Sequence, residues 1–145
     1  MNHSKLKPYF VLVVVLSLIG FTDAMYLSAV HYLDGAPGCG EQGGCDEVAS
    51  SEYSVMFGFP IALFGLLFYL TVFALSLYWF DKRNPAVPQW ILYIVSPAFL
   101  FSMWLVYLML FVIQAICWWC VLSASTTTII FLSTVFVVLK GLHKQ

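Results

Sequence analysis

Charge is what this chain has least of. Only 9% of its 145 residues are charged, against 62% that are hydrophobic, and six Lys and Arg face seven Asp and Glu. A soluble domain of this length needs far more polar surface, so the bilayer is its solvent. No basic residue stands between Lys7 and Lys82, and none between Arg83 and Lys140. So few cations leave no basic patch for nucleic acid, and the sequence holds no glycine-rich phosphate loop or nucleotide motif. Cysteine is scarce too, with four residues placed as two pairs, Cys39 with Cys45 and Cys117 with Cys120.

What is present in quantity is apolar sequence. Its runs occupy Tyr9–Tyr32, Val55–Phe80 and Trp90–Leu139. A crossing helix needs about 20 residues, so the first two runs supply one span each. The third, about 50 residues, would reach roughly 75 Å as one helix against a hydrocarbon core of about 30 Å, so it must fold back. The basic residues fall in three patches, Lys5 and Lys7, Lys82 and Arg83, and Lys140 and Lys144, which the positive-inside rule assigns to the cytoplasm. The long run is then a hairpin with its tip outside, marked by the polar Gln114 just before Cys117.

The predicted fold is an all-α membrane protein. It is a single domain of four transmembrane helices (about 9–32, 55–80, 90–113 and 117–139) with an outer loop at 33–54 and both termini cytoplasmic. That loop carries Asp34, Glu41, Asp46, Glu47 and Glu52 and no Lys or Arg, in keeping with an outside location. The rival for the first segment is a cleaved signal peptide with Lys5 and Lys7 as its charged region, Phe10–Phe21 as its apolar core and Ala24 or Ala29 at the cleavage site. Apolar character resumes after Asp23 and continues to Val30, a length that suits a retained span.

All four cysteines then face the oxidising side of a membrane, where disulfides persist. A structural staple explains Cys39 and Cys45 well, because Gly35, Gly38, Gly40, Gly43 and Gly44 let the loop close. It explains Cys117 and Cys120 poorly, since a bridge across one helical turn holds nothing that the helix does not already hold. Opening a helix, Cys117 sits near free first-turn amides that stabilise a thiolate. Spacing permits local bridges, Cys39–Cys45 and Cys117–Cys120, and equally a crossed Cys45–Cys117 bridge.

The order of these parts resembles the vitamin K epoxide reductase (VKOR) family in its short prokaryotic form. The features in common are a loop cysteine pair after the first helix, Ser51 six residues beyond the second loop cysteine, Gly58-Phe59-Pro60 entering the second helix, and C-x-x-C opening the fourth. The stretch from Ser50 through Tyr53 to Gly65 and the Tyr26-Leu27 pair are similar as well. The resemblance implies a four-helix bundle enclosing a quinone of the ubiquinone, menaquinone or vitamin K type. It also implies a thioredoxin-fold, DsbA-like partner; with no soluble domain before Gln145, that partner is expected to be a separate protein. By the same resemblance Cys39 exchanges with the partner, Cys45 hands electrons to Cys117, and Cys120 sits beside the quinone. The enzyme would be a thiol:quinone oxidoreductase of the cell (inner) membrane, active near the periplasmic face and driving disulfide formation in exported proteins. Vitamin K quinone or epoxide reduction is the alternative activity, but Ala124 stands where the epoxide-reducing animal enzymes have a tyrosine. The DsbB family does the same work with its two cysteine pairs in the opposite order.

Ser51, Asp23, Tyr26, Tyr53 and Trp118 are the candidate quinone-pocket residues. Ser51 is expected to donate a hydrogen bond to a quinone carbonyl. Asp23 is an intramembrane carboxylate, costly enough to be a functional candidate or else a group that reaches the interface. Tyr26, three residues on, shares its face. Trp118 and Trp119 read first as interfacial anchors, with a pocket wall as the other role. Ser123 and Ser125–Thr128 read as a helix-packing face, and His31 as an interfacial histidine. No metal is expected, because structural zinc sites favour two close C-x2–4-C pairs. A non-catalytic tetraspan scaffold with structural disulfides is the reading from another class.

Overall fold

The computed structural model describes residues 3–33, 35, 37–39 and 44–142. Asp34, Gly40, Glu41, Gly43 and Lys144 lie outside the described residues. In chain order the elements are α1 (His3–Tyr32), α2 (Cys45–Ser50), a 3-10 turn (Glu52–Ser54), β1 (Val55–Met56), β2 (Phe59–Pro60), α3 (Ile61–Lys82), α4 (Val87–Tyr107), a π-helical turn (Leu108–Ile113) and α5 (Trp118–Leu142). Four helices are long and apolar enough to cross a membrane. Hydrocarbon offers no water to backbone N–H and C=O groups, so spanning runs satisfy them internally as helix.

The second span begins at Ile61 and not at Val55. Val55–Pro60 forms a small antiparallel hairpin, Val55 opposite Pro60 and Met56 opposite Phe59. Its two-residue turn holds Phe57 at φ 55° and Gly58 at φ 83°, the positive pair that matches strand twist. Pro60 has no N–H to give and enters α3 from an extended conformation, a position where proline costs little. At the far end of α3, Arg83 adopts a left-handed conformation and donates its N–H to the Trp79 carbonyl at 2.7 Å, closing the helix. Asn84 Oδ1 accepts the Ala86 N–H at 2.9 Å, and Pro88 sits in the first turn of α4. The predicted fold-back lies where α4 widens into its π-helical turn and Gln114 turns left-handed at φ 57°.

α1 packs against α3 and α5, and α4 against α5 and α3. Phe10 of α1 stacks on Trp79 at 4.1 Å between ring centroids, Tyr9 shares a hydrogen bond of 2.9 Å with Thr134 of α5, and Phe99 stacks on Phe131 at 4.5 Å. The first segment packs into the bundle, with Phe10 and Val13 fully buried. The solid core, from Phe10 and Val13 to Val72, Trp79, Ile91 and Ile130, fills the half of the bundle next to the α3–α4 connection. The opposite half, where α2 and the start of α5 meet, is hollow.

Candidate functional site

Both cysteine pairs are bridged locally, Cys39 to Cys45 with Cα atoms 5.9 Å apart and Cys117 to Cys120 with Cα atoms 5.2 Å apart. Both separations suit a disulfide. Of the connectivities left open by spacing, the structure holds the local one. Cys45 and Cys117 are fully buried in one cluster with Met109, and Cys39, Val48, Trp119 and Cys120 pack against it. The two bridges therefore meet through their inner sulfur-bearing residues. Cys39 lies on the loop side of the cluster and Cys120 on the α5 side.

Local structure explains that arrangement. Cys117 caps α5: its carbonyl accepts the Val121 N–H at 2.9 Å, and its Sγ accepts the Cys120 N–H at 3.2 Å. An amide aimed at this sulfur stabilises the thiolate formed when the bridge opens. The Cys117 N–H points at Met109 Sδ, 3.4 Å away. The cysteine loop is held down by Gly44, whose N–H donates to the Ile116 carbonyl at 3.1 Å. A side chain at Gly44 would overlap Ala115, so glycine permits this close approach.

Below the cluster opens a cavity of about 740 Å³, within the range of small-molecule sites. Cys45, Cys117 and Cys120 line it, and its walls are largely apolar, with Leu27, Phe64, Phe68, Phe101, Leu105 and Val106 among them. Asp23, Ser51 and Tyr53 line it too. Asp23 is 3% exposed, and neither carboxylate oxygen has a hydrogen-bond partner among the described residues. The Ser51 hydroxyl donates its hydrogen to the Val48 carbonyl at 2.7 Å. Donation to a quinone carbonyl requires that hydrogen to turn from Val48 into the cavity.

Tyr26 and Trp118 do not line the cavity. Three residues on a helix leave two side chains about 60° apart in azimuth, and this places Tyr26 over the rim, its ring 4.9 Å from that of Trp119. Trp118 is 62% exposed, the setting of an interfacial anchor. His31 is exposed near the C-terminal end of α1 and lines the cavity.

Sequence reasoning missed Tyr69. It is buried at the cavity floor, its ring against Gly20 of α1 so closely that a side chain there would overlap it. Its hydroxyl reaches α5, 2.8 Å from the Ser123 carbonyl, 3.0 Å from Ser123 Oγ, and 2.9 Å from both Thr126 Oγ1 and Thr127 Oγ1. The signal was there: a tyrosine in mid-span needs a partner for its hydroxyl, and the Ser/Thr run of α5 supplies three. Ser125 and Thr128 of the same run instead bond to carbonyls of their own helix.

Among the described residues no group of three or more His, Cys, Asp or Glu is placed to hold a metal ion. A family model described as the vitamin K epoxide reductase family matches residues 11–135.

Proposed function

Since the chain belongs to the vitamin K epoxide reductase family and is an integral membrane redox enzyme, we propose that it carries electrons from a thiol protein to a quinone. The donor is a thioredoxin-fold, DsbA-like protein on the outer face of the cell (inner) membrane, and the disulfide it regains goes on to exported proteins. The single observation that carries this reading is the shared cluster: Cys45 and Cys117 are buried together while Cys120 faces a large apolar cavity.

The chemistry runs from the half-exposed end inward. A partner thiolate attacks Cys39, the Cys39–Cys45 bond breaks, and the partner's second thiol resolves the mixed disulfide, leaving two thiols here and a disulfide there. Cys45 then attacks Cys117 and expels the Cys120 thiolate. Attack of Cys39 on Cys45 releases Cys117, so the outer bridge is restored and the inner pair holds the two electrons. Exchange of this kind needs an accessible attacking sulfur and a leaving sulfur stabilised as thiolate, and the amide on Cys117 Sγ supports the second requirement.

The cavity fits a quinone by size and by apolar walls that end at Cys120. Bound there, a quinone supplies an acceptor for two electrons and two protons. Asp23, Ser51 and Tyr53 are the polar groups proposed to border it, with Ser51 as a donor once its hydroxyl turns from the Val48 carbonyl. Ala124 also lines the cavity, giving a wall without a hydroxyl at the position where the resemblance puts a tyrosine in epoxide-reducing enzymes. Plain quinone reduction is favoured on that ground.

The test is quinone reduction by purified protein with a reduced thioredoxin-fold donor, beside Cys120→Ala and Cys39→Ala. The expected result is turnover by wild type, none by Cys120→Ala, and failure of Cys39→Ala with the protein donor but not with a small dithiol. No turnover from a wild type whose four cysteines stay bridged would return the protein to a scaffold role.

A further inference from the structure

Register between helices fixes the height of residues that share no hydrogen bond. α1 and α5 run antiparallel, and three contacts set their alignment. Tyr9 bonds Thr134, the Tyr69 ring lies on Gly20 while its hydroxyl lies on Ser123, and Tyr26 packs on Trp119. Each pair sums to 143 to 145, so residue 23 of α1 stands level with residue 120 of α5. Counted from the Tyr69 crossbar, Asp23 and Cys120 are both three residues outward, about 4.5 Å at the helical rise. Both line the same cavity.

Asp23 has no structural task to explain it. It is nine-tenths buried and unpartnered among the described residues, it lies within a membrane span, and an isolated carboxylate in apolar surroundings is costly. As the acid it offers one proton and one hydrogen bond into the cavity. The geometry points to Asp23 as the proton donor to the quinone oxygen on the α1 side, with Tyr69 as a positioning residue that sets the depth at which the ring rests between Asp23 and Cys120.

This rests on the quinone reading above and adds its missing acid. As the Cys117–Cys120 bond forms, two electrons leave the sulfurs and two thiol protons are released, while the acceptor gains two electrons and a proton on each oxygen. Asp23 gives its proton to one oxygen and is reloaded by one of the two released protons, so the balance closes without any further reactant. The hollow half of the bundle provides the route, since Asp23, Cys117 and Cys120 share one continuous space.

The experiment uses full-length protein in lipid nanodiscs and a short-chain ubiquinone, with Asp23→Asn, Asp23→Glu and Tyr69→Phe. Quinone affinity is read from quenching of tryptophan fluorescence in the oxidised protein. Single-turnover oxidation of the dithiol-reduced protein is followed in H2O and D2O, and infrared difference spectra report the Asp23 carboxyl. The expected result is near wild-type affinity for Asp23→Asn with turnover slowed on the order of 100-fold or more, the usual worth of a positioned acid. Asp23→Glu should recover part of the rate, and a carboxyl band lost in Asp23→Asn should perturb when quinone binds. Tyr69→Phe should change the solvent isotope effect less than Asp23→Asn does.

Turnover of Asp23→Asn within a few-fold of wild type with an unchanged isotope effect would overturn the assignment and leave the quinone site standing. Loss of quinone affinity in Asp23→Asn would also overturn it, in favour of a binding role. A wild type that binds no quinone would remove the underlying reading and this one together.

Discussion

Gly44 offers the sharpest test of the idea that the cysteine loop works only when docked. Its φ of −76° lies on the negative side open to any L residue, so the chief effect of Gly44→Ala is expected to come from contact. The new methyl would overlap the Ala115 side chain and lie 3.0 Å from Ala115 Cα and 3.2 Å from the Ile116 nitrogen. Two of these three neighbours are backbone atoms in the tip before Cys117, so the loop must lift, and the Gly44–Ile116 hydrogen bond of 3.1 Å stretches or breaks. Overpacking of this kind costs about 1–3 kcal/mol, which lowers the docked-to-undocked ratio roughly 5- to 150-fold if the loop has an undocked state to escape to. Gly38 is the control, because nothing among the described residues lies within 4 Å of a methyl placed there. The assay reduces the outer pair with a protein donor, quenches in acid at millisecond intervals, and counts thiols at Cys117 and Cys120 by alkylation and mass. Gly44→Ala should slow transfer to the inner pair by up to that factor while Gly38→Ala transfers as wild type. Equal rates for Gly44→Ala and wild type, or equal losses in both variants, would refute the reasoning.

Tyr69→Phe removes the only hydrogen-bond partner that the structure gives the Thr127 side chain, so a loss of about 1–2 kcal/mol is expected in unfolding from lipid or detergent. Asp23→Leu should move the other way: replacing an unpartnered intramembrane carboxyl by an apolar group should stabilise the bundle, by up to about 3 kcal/mol on insertion scales. Chemical unfolding read by tryptophan fluorescence, set beside quinone turnover, checks both. Asp23→Leu should combine higher stability with lost turnover.

The spans, the cysteine pairs and Asp23 were legible because each is a departure from a uniform apolar background. The hairpin at Val55–Pro60 was not, since a short apolar run next to a long one reads as its continuation, and only the Phe57-Gly58 turn separates the two. Asp23 and Tyr26 were assigned one face by their spacing, yet the azimuth between them is enough to divide them between cavity and rim. Ser51 was placed at the cavity, but which way its hydrogen points depended on α2, whose Val48 carbonyl takes it. Tyr69 is a tertiary feature: its ring needs Gly20, and its hydroxyl needs three residues of α5 more than fifty positions away. No local pattern announces such a junction.

The shared burial of Cys45 and Cys117 also has a kinetic meaning. Two groups held in one packed cluster react as parts of a single molecule, with effective molarities that reach about 10⁵–10⁸ M where the orientation is right. Under the proposed relay, the internal hand-over is then expected to outrun collision with a donor. Flux through the protein is then metered by how often a reduced partner arrives at Cys39, so the supply of exported thiols sets the rate at which the membrane's quinone pool is drawn on.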